Sequence, residues 1–130
     1  MTAVPVNASF PCAVCGEVAA RVSLLPPGEV GPGSEVSAFA GMWRLVIEGG
    51  PVPMTVGPVR EWRAVAAALA ARDLERLAAV HAEYANFRCP LCRAGYCREH
   101  WSDVIPERDE GFYDATFGTC PNGHRVMLDD

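Results

Sequence analysis

Cysteines and histidines form four closely spaced pairs along this chain. The pairs are Cys12 with Cys15, Cys89 with Cys92, Cys97 with His100, and Cys120 with His124. Two or three residues separate the members of each pair, so one tight turn can aim both side chains at a single ion. Eight such ligands are what two tetrahedral Zn²⁺ ions require. The spacing therefore predicts two zinc ions held by all six cysteines and two of the three histidines.

The residues alone leave two ways of dividing these ligands. Pairing in sequence order gives a Cys₄ site from Cys12, Cys15, Cys89 and Cys92, and a Cys₂His₂ site from Cys97, His100, Cys120 and His124. Interleaving gives two Cys₃His sites instead: Cys12, Cys15, Cys97 and His100 in site 1, and Cys89, Cys92, Cys120 and His124 in site 2. The four residues between Cys92 and Cys97 span roughly 16 Å when extended, enough to step from one ion to the other. One ion is therefore not expected to hold both neighbouring pairs.

The spacing Cys-x₂-Cys-x₄-Cys-x₂-His, from Cys89 to His100, resembles the middle of AN1-type zinc fingers. The four-pair plan is also similar to cross-brace domains of the RING and treble-clef kind. In those families alternate pairs share an ion, so the resemblance implies the interleaved division. The chain departs from AN1 fingers through a 73-residue insert, residues 16–88, and through its last ligand pair. The segment from Tyr96 to His124 also resembles uncharacterised bacterial zinc-knuckle proteins, which implies no known activity.

The insert predicts an α+β fold that begins with a small antiparallel sheet at about residues 18–56. Val18–Leu25 and Phe39–Glu48 are β-prone runs, and the Pro- and Gly-rich stretch 26–34 between them is typical of a loop. Val52–Val56 adds a weak third strand, which Pro53 confines to an edge of the sheet.

A helical segment follows at about residues 58–86. Pro58 suits the first turn of a helix, and apolar residues recur at helical spacing in two stripes that are not in phase. Asp73 falls between the stripes as a possible N-cap. The pattern predicts either one long helix or two short helices that meet near Arg72, with an apolar face covering the sheet.

Length favours one domain over residues 1–130. We call each ligand pair with its turn a knuckle. The predicted order is the knuckle at 12–15, the sheet, the helical segment and the three knuckles at 89–124. The zinc ions would tie the two ends of this chain together across the insert, which couples metal binding to folding.

The formal charge of −5 disfavours nucleic acid as the principal partner, because a negative surface repels phosphates. No window approaches the roughly 18 apolar residues of a membrane span, so no membrane association is expected. The segment Met1–Phe10 lacks the basic and apolar regions of a signal peptide. These features predict a cytoplasmic protein, where knuckle-spaced cysteines bind metal in preference to forming disulfides.

Four protein ligands per ion make a closed, structural site. We therefore expect a zinc-binding module without enzymatic activity, acting as an adaptor for an unidentified protein partner; the oligomeric state stays open. One alternative is a zinc-dependent hydrolase with Glu17 or Glu99 as general base. Another is a redox or zinc-responsive regulator that uses the Cys-x₂-Cys pairs. His81, outside the pairs, is expected to be a packed or surface residue.

Aromatic residues concentrate between the third and fourth pairs. They are Trp101, Phe112, Tyr113 and Phe117, interrupted by a polar stretch at 107–111 that is typical of a solvated turn. Small zinc domains use aromatic side chains to cover their metals, which is one role for this group. An exposed cluster beside the acidic turn would instead form a contact surface for a partner protein.

Overall fold

The N-terminal part of the chain forms a four-stranded antiparallel sheet. The computed structural model describes residues 4–32, 34 and 37–130. The strands lie in the order β1 (Val6–Pro11), β2 (Val18–Leu25), β3 (Arg44–Gly49) and β4 (Met54–Val56). The prediction of an α+β fold with a small antiparallel sheet is confirmed.

One face of this sheet is the base of the core. Side chains two residues apart in a strand point to the same face. Val22 lies opposite Ala8 on β1 and opposite Ile47 on β3, and Leu24 lies opposite Leu45. All five are buried. This face therefore fixes the register of the three longer strands.

The sheet differs from the sequence prediction at three points. Strand β3 begins at Arg44, because Phe39 and Ala40 belong to a one-turn helix, α1 (Ser37–Ala40). The third predicted strand is shorter, Met54–Val56, and does lie at the edge directly after Pro53. Strand β1 was not predicted, although Val6, Ala8 and Phe10 alternate with polar residues.

A buried arginine holds the Pro- and Gly-rich loop against the sheet. The guanidinium of Arg44 donates to the carbonyl oxygens of Pro32, at 2.8 Å, and Glu29, at 2.7 Å. Arg44 is fully buried, so these bonds replace water around its charge. Residue 33 of the predicted loop, like residues 1–3 of the predicted N-terminal segment, lies outside the described residues.

The helical segment is two helices, α2 (Trp62–Ala70) and α3 (Leu74–Val80), followed by a 3₁₀ turn, Ala82–Ala85. Asp73 caps α3, since its side chain accepts from the backbone N–H of Arg76. Pro58 does not lie in the first turn as predicted. The backbone N–H of Val59 instead donates to Trp43, which ties this stretch to the sheet and delays the helix until Trp62.

Helix α2 packs against β1 and β2 through its buried face of Val65, Ala68 and Leu69. The predicted covering of the sheet by a helix is thus observed. None of the helices in the described part of the chain is long and apolar enough to cross a membrane.

The C-terminal third contains a second sheet that the sequence analysis did not predict. After a two-residue hairpin, β5 (Arg88–Cys89) and β6 (Ala94–Gly95), come β7 (Ser102–Asp109), β8 (Phe112–Thr119) and β9 (Arg125–Asp129). The last three form an antiparallel sheet in that order. The polar stretch at 107–111 is therefore mostly strand, and Glu110 and Gly111 alone lie between β7 and β8.

The inner face of the second sheet joins the same core as the first. Val126 and Leu128 are buried with Trp101, whose indole N–H donates to the carbonyl of Tyr96 at 3.1 Å. Gly118 makes the close packing possible, because a Cβ there would lie 2.7 Å from Leu128 Cδ1 and 3.3 Å from Trp101 Cε3. The two sheets consequently hold the four knuckles around one interior.

Candidate metal centres

Three of the four ligand pairs sit on tight turns closed by a residue with positive φ. These residues are Gly16, with φ 76°, Arg93, with φ 56°, and Gly123, with φ 85°. Each donates its backbone N–H to the carbonyl of the first cysteine of its own pair, at 2.8–2.9 Å. The positive φ turns the chain back around the ligands, and glycine adopts it without strain.

The remaining pair uses a different local structure. Cys97 precedes a 3₁₀ turn, Arg98–His100, in which the N–H of His100 donates to the carbonyl of Cys97 at 2.9 Å. This turn brings Cys97 Sγ within 3.1 Å of His100 Nδ1. The structure therefore presents all four pairs as compact two-ligand units.

Site 1 joins the first ligand pair to the third across the insert. His100 Nδ1 lies 3.6 Å from Cys12 Sγ, and Cys15 Sγ lies 3.8 Å from Cys97 Sγ. The four ligand atoms all lie within 4.8 Å of one another. The backbone N–H of Ala13 donates to Gly95 at 2.9 Å, which docks the first knuckle beside the third.

Site 2 assembles within the C-terminal part of the chain. His124 Nδ1 lies 3.5 Å from Cys89 Sγ, 3.3 Å from Cys92 Sγ and 3.4 Å from Cys120 Sγ. Cys92 Sγ and Cys120 Sγ are 3.8 Å apart. Cys89 belongs to β5 and Cys120 directly follows β8, so the short hairpin and the second sheet together hold this cluster.

Most of these distances are close to those of two tetrahedra, the shortest being the 3.1 Å between Cys97 Sγ and His100 Nδ1. With Zn–S near 2.3 Å and Zn–N near 2.05 Å, tetrahedral angles place two sulfurs about 3.8 Å apart and a sulfur and a nitrogen about 3.6 Å apart. A disulfide would need sulfurs about 2.05 Å apart, whereas the six cysteines are unpaired. Each cluster could thus hold one metal ion, and the grouping is the interleaved one.

Hydrogen bonds and burial act in opposite directions on the thiols. Burial raises the pKa of Cys89 and of Cys97. Burial also acts on Cys12, but backbone N–H groups around it outweigh that effect and lower its pKa to about 6. Because a metal ligand must be a thiolate, these N–H groups, first that of Cys97 and then those of the Cys12–Cys15 turn, favour the form of Cys12 that binds metal.

Two polar side chains beside site 2 were not found by sequence reasoning. Asn122 Nδ2 donates to Cys92 Sγ at 3.1 Å and to the hydroxyl of Tyr96 at 3.3 Å. The hydrogen bonds from Asn122 and then from Tyr96 lower the pKa of Cys92 to about 6, and the bond to Cys92 raises that of Tyr96 to about 12. The only sequence signal was the position of Asn122 between two ligands.

The remaining residues considered in the sequence analysis, Glu17, Glu99 and His81, are not among the ligands of either cluster. Glu17 and Glu99 are exposed and line an open groove of about 450 Å³ next to Cys15 and His100. His81 is an exposed residue whose Nδ1 accepts from the N–H of Glu83, as expected for a surface residue.

Fold and site define an α+β protein with two Cys₃His clusters. Residues 2–130 match a family model described as "Domain of unknown function (DUF8328)", and the chain belongs to that family. The comparisons with curated proteins and with solved structures found no match.

Proposed function

We propose that this protein is a non-enzymatic module that binds other proteins and is held together by two structural Zn²⁺ ions, one in site 1 and one in site 2. The observation that carries the proposal is the completeness of both clusters, which offer four protein ligand atoms each at tetrahedral distances. A catalytic zinc keeps one position open for water, and these ligand sets fill all four.

The donor chemistry favours zinc. Three thiolates and one imidazole are soft to borderline ligands, which suit Zn²⁺ and not Mg²⁺ or Ca²⁺. Zinc has no redox chemistry of its own, so its contribution here is to cross-link segments of the chain. Six thiol ligands fit a reducing compartment, and we propose a cytoplasmic location and one folding unit across residues 1–130.

Protein binding is supported by the surface. The described residues include large apolar side chains in the second sheet that stay exposed, among them Ile105 and Phe112. Small proteins rarely expose such groups in numbers without a contact to make. Zinc ions that stabilise the fold and an exposed apolar surface on the second sheet together support a role in binding another protein.

Cobalt substitution tests the structural role of the metal. Replacing both ions with Co²⁺ should give the intense visible and sulfur-to-cobalt absorption of closed tetrahedral sites, unchanged when azide is added, because no position is open. A band that shifts with azide would show an open coordination position and favour the hydrolase alternative. A thiol pair that is oxidised by micromolar peroxide with release of the ion would favour the regulator.

Selection from a random-peptide display library tests the binding role. Zinc-loaded protein should enrich peptides that bind with micromolar or tighter Kd, and the chelated, unfolded protein should not enrich the same sequences. The matched control is Val30→Ser, which alters one exposed side chain outside the second sheet and keeps both clusters, and it should enrich the same peptides as the unaltered protein. If the zinc-loaded protein enriches no peptide over several rounds, the binding proposal is wrong.

A further inference from the structure

The outer face of the second sheet carries a continuous apolar row. Ile105 on β7 lies directly opposite Phe117 on β8, which lies opposite Met127 on β9. Directly paired residues in adjacent strands project from the same face of a sheet. We call Ile105, Phe117 and Met127 the outer-face row.

The two ends of this row are exposed. Ile105 is 51% exposed and Met127 is 53% exposed, with Phe117 half-buried between them. The opposite face of the same sheet is occupied by the core contacts of Gly118 and Leu128. The inner face of the second sheet is therefore packed against the core, whereas the outer face exposes apolar side chains to water.

The segment that carries the row has an excess of negative charge. Residues 102–130 contain seven of the 16 acidic side chains of the chain and two of the 11 basic ones, so the whole formal charge of −5 resides there. The preceding residues carry nine of each sign. The acidic residues of this segment are Asp103, Glu107, Asp109, Glu110, Asp114, Asp129 and Asp130, and all except the half-buried Asp129 are exposed.

The arginine closest to the row is already engaged. Arg125 lies with Cζ 6.0 Å above the Phe117 ring, and its Nη1 donates to the carbonyl of Asp103 at 2.7 Å and to Thr119 Oγ1 at 3.1 Å. Its charge is therefore directed along the sheet instead of toward a partner. Arg108, on β7, is the other basic residue of this segment, and the seven carboxylates outnumber the two arginines. The surface thus combines apolar side chains with an excess of negative charge.

The apolar row and the negative charge together favour some binding partners over others. A second copy seated by a two-fold axis would bring the same acidic surface against itself, and like charges across an interface cost affinity. Nucleic acid and anionic lipid are repelled for the same reason. A cationic segment with apolar side chains on one face matches both the row and its surroundings.

We propose that the outer face of the β7–β8–β9 sheet binds a basic amphipathic segment of another protein, whose apolar side chains cover Ile105, Phe117 and Met127 while its Lys and Arg side chains face the surrounding carboxylates. This inference rests on the proposed protein-binding function and assigns the surface and the chemistry of the partner. Site 2 includes the connection between these strands, since Cys120 and His124 lie between β8 and β9.

The test uses zinc-loaded full-length protein and three labelled 16-residue peptides: an amphipathic Leu/Arg peptide, its Leu/Glu counterpart, and a Leu/Arg peptide with the same composition in scrambled order. Fluorescence anisotropy should give binding to the first at least tenfold tighter than to either control. Amide shifts in a ¹⁵N spectrum should concentrate in residues 102–130. Zinc content and melting temperature are recorded for every variant.

Two variants separate specific docking from simple charge attraction. Ile105→Ser with Met127→Ser should weaken binding of the Leu/Arg peptide at least tenfold and keep two zinc ions, because both side chains are already exposed. Val18→Ser is the matched control, since Val18 is 59% exposed on the other sheet, and should change nothing. Raising the salt should weaken binding to the unaltered protein as charge is screened.

Three results would overturn the assignment. Binding that is unaffected by the double variant would be non-specific attraction, and shifts outside residues 102–130 would place the surface elsewhere. Self-association that the double variant abolishes would identify a second copy as the occupant. In each case library-selected peptides that still bind the zinc-loaded protein would leave the proposed function standing, whereas failure of every peptide would remove both.

Discussion

The two metal clusters have the same ligands but join very different lengths of chain. Site 1 connects residues 82–88 positions apart, reaching from the end of β1 to the turn after β6. Site 2 connects residues 28–35 positions apart, all of them in the C-terminal part. Closing the longer loop reduces the conformational entropy of the unfolded chain more. Since loop-closure entropy grows with the logarithm of loop length, the difference in free energy is about 1 kcal/mol.

Their surroundings differ as well. In site 1 Cys15 is exposed, and a groove opens beside it. In site 2 Cys92 receives hydrogen bonds from Asn122 and Tyr96. With an ion bound, site 1 would therefore cross-link the N-terminal segment to the C-terminal third of the chain. Site 2 would cross-link the β5–β6 hairpin to the second sheet. The difference shows that equal coordination does not mean an equal structural role.

The largest expected effect is that of Cys97→Ser. Removing this buried ligand should release about one ion per chain and cost several kcal/mol, because structural zinc contributes about 10–16 kcal/mol to folding of small domains. For a chain of this size that is a fall in melting temperature of about 15 °C or more. Zinc analysis and calorimetry measure both. Unchanged zinc content and melting temperature would show that Cys97 is not a ligand.

A smaller and more local effect is expected from Cys120→Ser. One ion should again be lost, but the four-stranded sheet and α2 remain tied through site 1. Hydrogen exchange should accelerate in β8 and β9 while β2 and β3 stay protected. If β2 and β3 lose protection as strongly as they do in Cys97→Ser, the proposed division between a global and a local site is wrong.

The smallest effect is expected from Asn122→Ala. Loss of its N–H···S bond should raise the pKa of Cys92 above about 6 and speed transfer of one zinc to a chelator by about tenfold. Cys92 has a lowered pKa, so its stabilising contribution is lost as the pH falls through that value. The acid midpoint of zinc release from site 2 should therefore move to higher pH.

Asn7→Ala, at an exposed position on β1, is the matched control for that substitution. It should leave the release of both ions unchanged. Acceleration of both ions together in Asn122→Ala would mean that Asn122 acts through overall stability and not through Cys92.

The sequence predicted the metal-ligating residues better than it predicted the strands and the contacts that bring them together. The spacing of Cys and His identified every residue that the structure gathers into the clusters, because a two-ligand turn is a local property. The division between ions is set by which distant segments pack together, and the spacing left it open. Asp73 marked the junction of α2 and α3 because capping is also local.

The second sheet escaped prediction for a physical reason. Strand β7 is exposed along its whole length, so it lacks the alternation that reveals a half-buried strand. Pro106 also argues against a strand, and an edge position is where it is tolerated. In β1, by contrast, Val6, Ala8 and Phe10 do alternate with polar residues, so this missed strand did carry a sequence signal.

X-ray absorption at the zinc edge on a one-site variant tests the central claim most directly. Cys120→Ser with His124→Ala removes one ion under either division of the ligands. Interleaved sites leave Cys12, Cys15, Cys97 and His100, which predicts three sulfurs at about 2.3 Å and one nitrogen at about 2.0 Å around the remaining zinc. Four sulfurs would show the sequential division, and no bound zinc would contradict the account altogether.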